Sequence, residues 1–441
     1  MSGLGKWLIE NYRKCERWTV AFVAVAVTLY ILVFDSVGTS GDTPSYINAW
    51  KSISSGHIDL IRTPVYPCLI GLCKAIAGEN GMLLMVFVIQ NIVACIASWY
   101  FYKLALRVFH SDTVAFISAL ILICLPLFTL FRSYILTESL SISGLVFLVY
   151  CAIRLYDGGS KANIIGVAFW LFFLIFMRPS FLYLLPVLLV AFVLMAIKKR
   201  GLRLNAVLGI VVVALVSAST LAYMSAFKRS YGVFTCTRVG IINDLCMMNF
   251  DGSLDPDKSP SPQLAKNITY IYDTYGRGPS YDKMTSKALE QDFDSLVLYS
   301  WDLPTLSATV HGSKTLKNQL QGVLIRCHYL MGAEVRDGKP ALVVFFNYAI
   351  ICGFLTVLVY ALFIVVYIFR YRELPWISFL LLMLGVSNVI VTVVGAQAEW
   401  PRLVYPSKFI YLLMNIQILL IVIGKLSKKH YKVKKDYVNI L

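Results

Sequence analysis

The sequence predicts an all-α polytopic membrane protein with about ten transmembrane helices. Its 441 residues are 58% hydrophobic and only 15% charged, and their mean hydropathy is +0.71. A soluble domain is about 45–50% apolar and about 25% charged. One globular core cannot bury this excess of apolar side chains, so lipid must cover it. Basic residues also gather at the ends of the apolar segments, as in membrane proteins.

The predicted spans are apolar runs of roughly the length that crosses a bilayer, about 20 residues each. The shorter segment 64–78 contains two prolines near its start and a lysine near its end. We predict that this segment does not cross the membrane but lies on, or re-enters from, the outer surface. The predicted spans are 18–34, 82–106, 112–131, 135–155, 163–177, 179–197, 204–227, 341–369, 375–396 and 405–424.

The distribution of basic residues supports this topology. If 64–78 does not cross, the basic clusters at both termini and between the spans all face the cytoplasm, as the positive-inside bias predicts. If it crossed, every later cluster would move to the outer side. The formal net charge of +16 is therefore an orientation signal, which predicts the lipid bilayer as partner and excludes nucleic acid. The absence of a P-loop in the sequence weighs against an ATP-driven transporter.

The topology divides the chain into four parts. They are an N-terminal transmembrane module that includes the first outer loop, an extracytoplasmic loop region, a set of C-terminal transmembrane helices and a basic cytoplasmic tail: 1–227 (outer loop 35–78), 228–340, 341–424 and 425–441. In the extracytoplasmic region, Cys236 and Cys246 could pair in an oxidising compartment or stay as free thiols. The histidines and cysteines show no metal-binding spacing.

Several charged residues next to the spans share the predicted outer side. Charges near membrane depth are costly, so they mark functional sites by default. Their common side predicts one polar cavity at the outer leaflet. The residues are Asp42, Arg62, Arg132, Glu138, Arg178, Glu399 and Arg402.

Each of these residues also has a structural interpretation. Asp42 could cap a helix that begins at the following proline. Arg178 and Arg402 could reach the lipid headgroups. Glu138 could cap a helix or pair with the preceding arginine, and Tyr66 could belong to the aromatic belt at the membrane interface.

An acid beside several arginines suits the reaction of an anionic, lipid-tethered substrate. Arginines bind phosphate through paired, charge-assisted hydrogen bonds. A carboxylate can take the proton of an attacking hydroxyl. A pocket in the membrane would admit the lipid tail from the side. The combination points to group transfer from a lipid phosphate.

The order of these motifs resembles the GT-C superfamily of membrane glycosyltransferases. The sequence is most similar to bacterial relatives of the dolichyl-phosphate-mannose protein mannosyltransferases and of the aminoarabinose transferases that modify lipid A. The resemblance covers 18–200 well and 341–424 loosely. It rests on Gly41-Asp42, on Arg62-Thr63-Pro64-Val65-Tyr66-Pro67, on Leu136-Thr137-Glu138-Ser139 and on Arg178-Pro179.

The resemblance implies an inverting transferase that uses a polyprenyl-phosphate sugar at the outer face of a membrane, as in the bacterial inner membrane. Asp42 would be the general base. Arg62, Arg178 and Arg402 would contact the donor phosphate or line the cavity, together with Tyr66, Arg132, Glu138 and Glu399. The extracytoplasmic acceptor would be a glycolipid, a polysaccharide or a protein.

One departure from the family concerns a second acid. Many relatives carry another acidic residue beside the first-loop aspartate, whereas Thr43 and Pro44 follow Asp42 here. The second acid would have to be Asp35, Asp59 or Glu138. This departure argues against a metal site made of two neighbouring carboxylates. A divalent cation stays open as a cofactor, with no metal ligand assigned. Two other functions stay open: a transporter or flippase for lipid-linked oligosaccharides, and a polysaccharide polymerase that uses a lipid-diphosphate oligosaccharide.

Overall fold

The computed structural model describes residues 3–241, 353–395 and 404–426, together with isolated positions between 244 and 308. The described residues fold into α-helices joined by short 3-10 turns, and their one extended pairing is a bridge between Gly38 and Tyr134. The α-helices are α1 (Gly3–Phe34), α2 (Thr43–Ser54), α3 (Val65–Phe109), α4 (Asp112–Cys124), α5 (Pro126–Ser133), α6 (Glu138–Tyr156), α7 (Ala162–Met177), α8 (Leu184–Lys198), α9 (Arg203–Tyr231), α10 (Gly353–Tyr371), α11 (Trp376–Gly395) and α12 (Lys408–Leu426). The 3-10 turns are Pro179–Tyr183, Arg200–Leu202, Pro256–Lys258 and Tyr405–Ser407.

The helices confirm an all-α integral membrane protein. Within the described ranges, six helices are long and apolar enough to cross a membrane: Lys14–Phe34, Val65–Phe109, Glu138–Tyr156, Pro179–Lys198, Arg203–Tyr231 and Tyr405–Ile423. Shorter apolar helices lie at Asp112–Cys124, Ala162–Met177, Leu355–Tyr371 and Trp376–Thr392. Each of these helices overlaps one of the predicted spans.

The predicted span 112–131 is wrong as a single helix. It breaks at Leu125, whose backbone is extended (φ −63°, ψ 122°) between α4 and α5. The next residue is Pro126, which lacks an N–H group and disfavours a helical conformation of the residue before it. The predicted helix 135–155 begins three residues late, at Glu138, because Tyr134 is extended (φ −94°, ψ 141°) and pairs with Gly38, and residues 135 to 137 form bends.

Helix α3 consists of two segments that meet at Gly78. This residue has φ 72° and ψ −179°, a conformation that is open essentially to glycine alone. Before α3, Arg62 pairs with Asp42 at one end of the bundle, whereas Arg107 in the last turn of α3 pairs with Asp157, which follows α6.

These two ion pairs lie at opposite ends of the helices. Helix α6 runs between them, because it begins four residues after Tyr134, which pairs with the loop before Asp42. Helix α3 must therefore pass from one end to the other an odd number of times. With two segments, an odd number means a single passage. The segment after Gly78 is the longer of the two and makes that passage. That segment 64–78 lies on the outer side of a membrane stays a prediction.

Helix α6 forms the centre of the N-terminal bundle and packs against α3 and α7. Its side chains are buried without a break over residues 138 to 149. The C-terminal helices join this core through aromatic contacts. Phe101 of α3 meets Phe409 of α12 edge to face, and Tyr156 of α6 stacks on Trp376 of α11 with ring centroids 4.1 Å apart.

Candidate active site

Asp42 stands directly before α2, at the position of a helix cap. Its side chain makes no capping hydrogen bond to that helix. Instead, one carboxylate oxygen accepts a hydrogen bond from Nη2 of Arg62 at 2.6 Å. A purely capping role therefore does not account for this aspartate.

Four contacts hold the guanidinium of Arg62. Besides the bond to Asp42, Nε donates to Oγ of Ser45 at 2.8 Å and Nη1 donates to the hydroxyl of Tyr46 at 3.3 Å. The guanidinium also lies over the Tyr46 ring, 4.2 Å from its centroid. Oδ1 of Asp59 fixes the turn before it by accepting the backbone N–H of Arg62 at 2.7 Å. The arginine is thus oriented on both its backbone and its side chain.

Tyr46 lies between two acid–arginine pairs. Its ring packs edge to face on the buried ring of Tyr66, with centroids 4.8 Å apart. Burial is the main reason why the pKa of Tyr46 is raised, and the neighbouring charges also act on it. The positive charges of Arg62 and Arg178 lower this pKa, whereas the negative charges of Glu138 and Asp42 raise it. The hydroxyl therefore stays protonated at neutral pH and can act as a hydrogen-bond donor.

The second pair joins Glu138 and Arg178. Glu138 is the first residue of α6 and is fully buried, and its Oε1 lies 3.2 Å from Nη1 of Arg178. Arg178 follows α7 in an extended conformation (φ −147°, ψ 118°), which the next residue, Pro179, favours. The buried charge of Glu138 needs such pairing, because an unpartnered charge is costly to remove from water. Glu138 therefore pairs with Arg178 and not with Arg132, the partner considered from the sequence.

Arg132 has different surroundings. Its side chain is 1% exposed and points into the bundle between α1 and α3. Nε donates to Oδ1 of Asn91 at 3.1 Å, and Nη2 donates to the hydroxyl of Thr28. These partners are neutral, so Arg132 links helices and does not join the Asp42–Arg62 pair.

The structure thus brings together five of the residues predicted from the sequence, Asp42, Arg62, Tyr66, Glu138 and Arg178, around Tyr46. Glu399 and Arg402 lie outside the described residues.

Ser45 and Tyr46 are site residues that the motif analysis did not select. Their signal is present in the spacing: three and four residues after Asp42, they lie on the same side of α2 as the aspartate.

The three candidates for a second acid have different partners in the structure. Asp35 accepts a hydrogen bond from Ser133 at 2.5 Å, and Asp59 is used by its own turn. Glu138 alone of the three acts on Tyr46. In the part of the chain that the structure describes, no group of three or more histidine, cysteine, aspartate or glutamate side chains is placed to hold a metal ion. Since arginines engage both Asp42 and Glu138, the described residues do not fit a divalent cation.

Comparisons with known proteins identify solved structures of similar fold. The sequence matches no protein-family model and no curated protein. Two solved structures from Archaeoglobus fulgidus are similar in fold. One is the oligosaccharyltransferase in its apo form, with 12% identity and a TM-score of 0.50, covering 96% of this chain and 53% of that one.

The other is the oligosaccharyltransferase AglB in complex with an inhibitory peptide and a dolichol-phosphate, with 13% identity and a TM-score of 0.50, covering 98% of this chain and 54% of that one. This chain therefore spans about half the length of the archaeal structures. Identity this low shows the fold alone, and the nearer likeness to mannosyltransferases and aminoarabinose transferases stays a prediction. The chain therefore has a helical fold similar to that of the archaeal oligosaccharyltransferase structures.

Proposed function

We propose that this protein is an inverting glycosyltransferase that moves a sugar from a polyprenyl-phosphate donor to an extracytoplasmic acceptor. The observation that carries the proposal is the Asp42–Arg62 pair, oriented by Ser45 and Tyr46 on a GT-C fold. The archaeal neighbour was solved with a dolichol-phosphate, which is a lipid phosphate of the proposed donor class. The acceptor would be a glycolipid, a polysaccharide or a protein.

Arg62 has the chemistry to bind the donor phosphate. Its guanidinium is planar and offers several N–H groups, so it can hold Ser45 and Tyr46 while it presents other N–H groups to phosphate oxygens. The side chain is 18% exposed, which leaves a face open to a ligand. Arg178 is the second cation of the site, and it offsets the negative charge of Glu138.

The reaction needs one displacement at the anomeric carbon. Asp42 takes the proton of the acceptor hydroxyl as its oxygen attacks that carbon, and the bond between the carbon and the phosphate oxygen breaks. The phosphate leaves with the bonding electrons, and Arg62 stabilises its charge. A single displacement inverts the anomeric configuration. The proton on Asp42 then passes to water.

The placement of charge supports an outer active site. Basic residues occupy the end of the bundle opposite Asp42: Arg17 pairs with Asp112 at 3.6 Å, and Lys199 lies over the Tyr156 ring at 3.5 Å. Basic ends tend to face the cytoplasm. This orientation puts Asp42 on the extracytoplasmic face, and we propose the bacterial inner membrane as the location.

The second candidate is transfer of a whole oligosaccharide from a lipid diphosphate, as a polysaccharide polymerase would perform. The oligosaccharyltransferase fold of the neighbours favours this alternative, and an arginine-rich site suits a diphosphate equally well. A flippase is disfavoured, because transporters hold polar groups near the membrane midplane, whereas Asp42 and Arg62 lie beyond the end of α1.

The proposal is tested with purified protein in lipid nanodiscs. Each of a panel of polyprenyl-phosphate hexoses with radiolabelled sugar is incubated with an envelope extract as the acceptor source, and transfer of label is measured. We expect Asp42→Asn to lower the rate by at least about a hundredfold, which is the usual contribution of a general base. Asp157→Asn removes an aspartate that pairs with an arginine at the other end of the bundle, and this variant should keep the wild-type transfer rate.

Transfer at the wild-type rate by Asp42→Asn would show that Asp42 is not the base. A parallel assay uses a lipid-diphosphate oligosaccharide as the donor, and transfer from that donor alone would favour the polymerase.

A further inference from the structure

Residues 132–135 are the last two residues of α5 and the two non-helical residues after it, and they are here called the docking segment. The carbonyl groups of Arg132 and Tyr134 are hydrogen-bonded on the side that faces α3. Nε2 of Gln90 donates to the carbonyl of Arg132 at 2.9 Å and to that of Tyr134 at 2.8 Å. Nδ2 of Asn91 also donates to the carbonyl of Arg132 at 2.9 Å. Both amides are fully buried. Two adjacent side chains of α3 thus fix the position of the docking segment.

The remaining carbonyls of the docking segment bind the loop that carries Asp42. The N–H of Gly38 donates to the carbonyl of Ser133 at 2.7 Å, and the N–H of Ile135 donates to the carbonyl of Gly38 at 2.9 Å. The hydroxyl of Thr43 donates to the carbonyl of Ile135 at 3.1 Å. A side chain on Gly38 would meet the Tyr134 ring at 3.1 Å, so glycine permits this close approach.

The loop is held at its start, middle and end. Asp35 accepts the hydroxyl of Ser133 at 2.5 Å at the start, and Gly38 pairs in the middle. At the end, the buried hydroxyl of Thr43 also accepts the backbone N–H of Ser40 at 2.9 Å. Thr43 therefore closes the loop on itself and ties it to the docking segment, one residue after Asp42.

We propose that the docking segment fixes the position of Asp42 relative to Glu138, and that Thr43 is the positioning residue of this arrangement. Its hydroxyl joins the residue after Asp42 to Ile135, three residues before Glu138. The expected effect on turnover rests on the proposed function, whereas the structural role of Thr43 does not. A misplacement of about 1 Å can cost about a hundredfold in rate, so a small hydrogen bond in this place has a large effect on turnover.

The kinetic test compares Thr43→Val with Thr43→Ser. Valine keeps the shape and removes the hydroxyl, whereas serine keeps the hydroxyl. We expect Thr43→Val to lower kcat by about 10- to 100-fold with little change in the donor KM, because phosphate binding does not use Thr43. Thr43→Ser should restore most of the activity. The matched control is Thr220→Val, which removes a buried hydroxyl bonded to a carbonyl at 2.9 Å in α9.

An unchanged kcat in Thr43→Val, or a raised KM with kcat unchanged, would overturn the positioning role. A loss of activity in Thr43→Ser equal to that in Thr43→Val would do so as well.

A second measurement needs no donor and stays valid if the proposed function fails. Hydrogen–deuterium exchange is followed in peptides that contain the amides of Gly38 and Ile135, which make the two backbone bonds of the docking segment. We expect faster exchange at both amides in Thr43→Val and in Gln90→Met, which removes the donor on the α3 side, and no change in Thr220→Val. Wild-type protection in both variants would overturn the inference. Wild-type protein without transferase activity would instead contradict the proposed function.

Discussion

Arg62 is the residue on which the other groups of the site converge. Its side chain touches Asp42, Ser45 and Tyr46, and its backbone is fixed by Asp59. A lysine has three donors around one nitrogen and cannot span these partners at once. The site therefore depends on the shape of the guanidinium as well as on its charge.

We predict that Arg62→Lys weakens donor binding while it keeps the charge. The variant should raise the donor KM by about 10- to 100-fold, since hydrogen bonds to charged groups contribute about 1.5–3 kcal/mol each. Initial rates measured against donor concentration test this expectation. Arg107→Lys provides the control, because Arg107 pairs with Asp157 at the opposite end. Equal KM values for wild type and Arg62→Lys would remove Arg62 from the donor site.

A second prediction concerns pH. Burial raises the pKa of Tyr46 above its ordinary value, so the hydroxyl stays neutral as pH rises through about 6 to 9. Tyr46 should therefore contribute no alkaline limb to the pH–rate profile. Tyr46→Phe should lose the bond to Arg62 yet keep the wild-type profile over that range. An alkaline limb that is present in wild type and absent from Tyr46→Phe would contradict the prediction.

The sequence predicts site residues that stand in short motifs, but it does not predict the direction of every side chain. Asp42 and Arg62 stand in short motifs beside a span, so their types and order are informative. The sequence could place Arg132 beside the outer turn, but it could not show that its long side chain reaches inward to Thr28 and Asn91. The direction of a flexible side chain depends on tertiary packing, which a local pattern does not contain.

At the scale of the helices, three backbone features shape the site end of the bundle. The end of α5 and the non-helical residues after it give the loop before Asp42 a partner, and the break at Leu125 separates α5 from α4. Residues 112–131 are apolar throughout, so hydropathy alone predicted one helix. Pro126 is the residue in the sequence that indicates the break. The junction at Gly78 lets the first segment of α3 lie at the site end while the second segment traverses the bundle.

We predict that Gly78→Ala destabilises the protein through backbone strain alone. No atom lies within 4 Å of an added Cβ, but φ is +72° and ψ is −179°. A residue other than glycine in this region costs about 1–3 kcal/mol, so the Tm in detergent should fall. Gly201→Ala is the control, because an added Cβ there also meets open space and its φ is not positive. Equal Tm values for the two variants would show that the junction relaxes without strain.

At the scale of the whole molecule, hydropathy predicted the membrane fold because a bilayer demands long apolar helices whatever their detailed packing. It could not predict which helix ends meet. The ion pair of Arg107 with Asp157 at one end and that of Arg62 with Asp42 at the other supply this information. Together with the positive-inside bias, they turn the order of the helices into an orientation that can be measured.

We predict that the loop after α2 is extracytoplasmic and that the loop after α6 is cytoplasmic. Ser55 and Ser160 are exposed serines in these two loops, so Ser55→Cys and Ser160→Cys are a matched pair once all ten native cysteines are replaced by serine. A membrane-impermeant maleimide added to intact spheroplasts should label only Ser55→Cys, and lysis should expose Ser160→Cys. Both positions lie outside the helices, so neither result depends on access to lipid-buried side chains. Labelling of Ser160→Cys alone in intact spheroplasts would place Asp42 on the cytoplasmic face, where the proposed extracytoplasmic acceptor could not reach it.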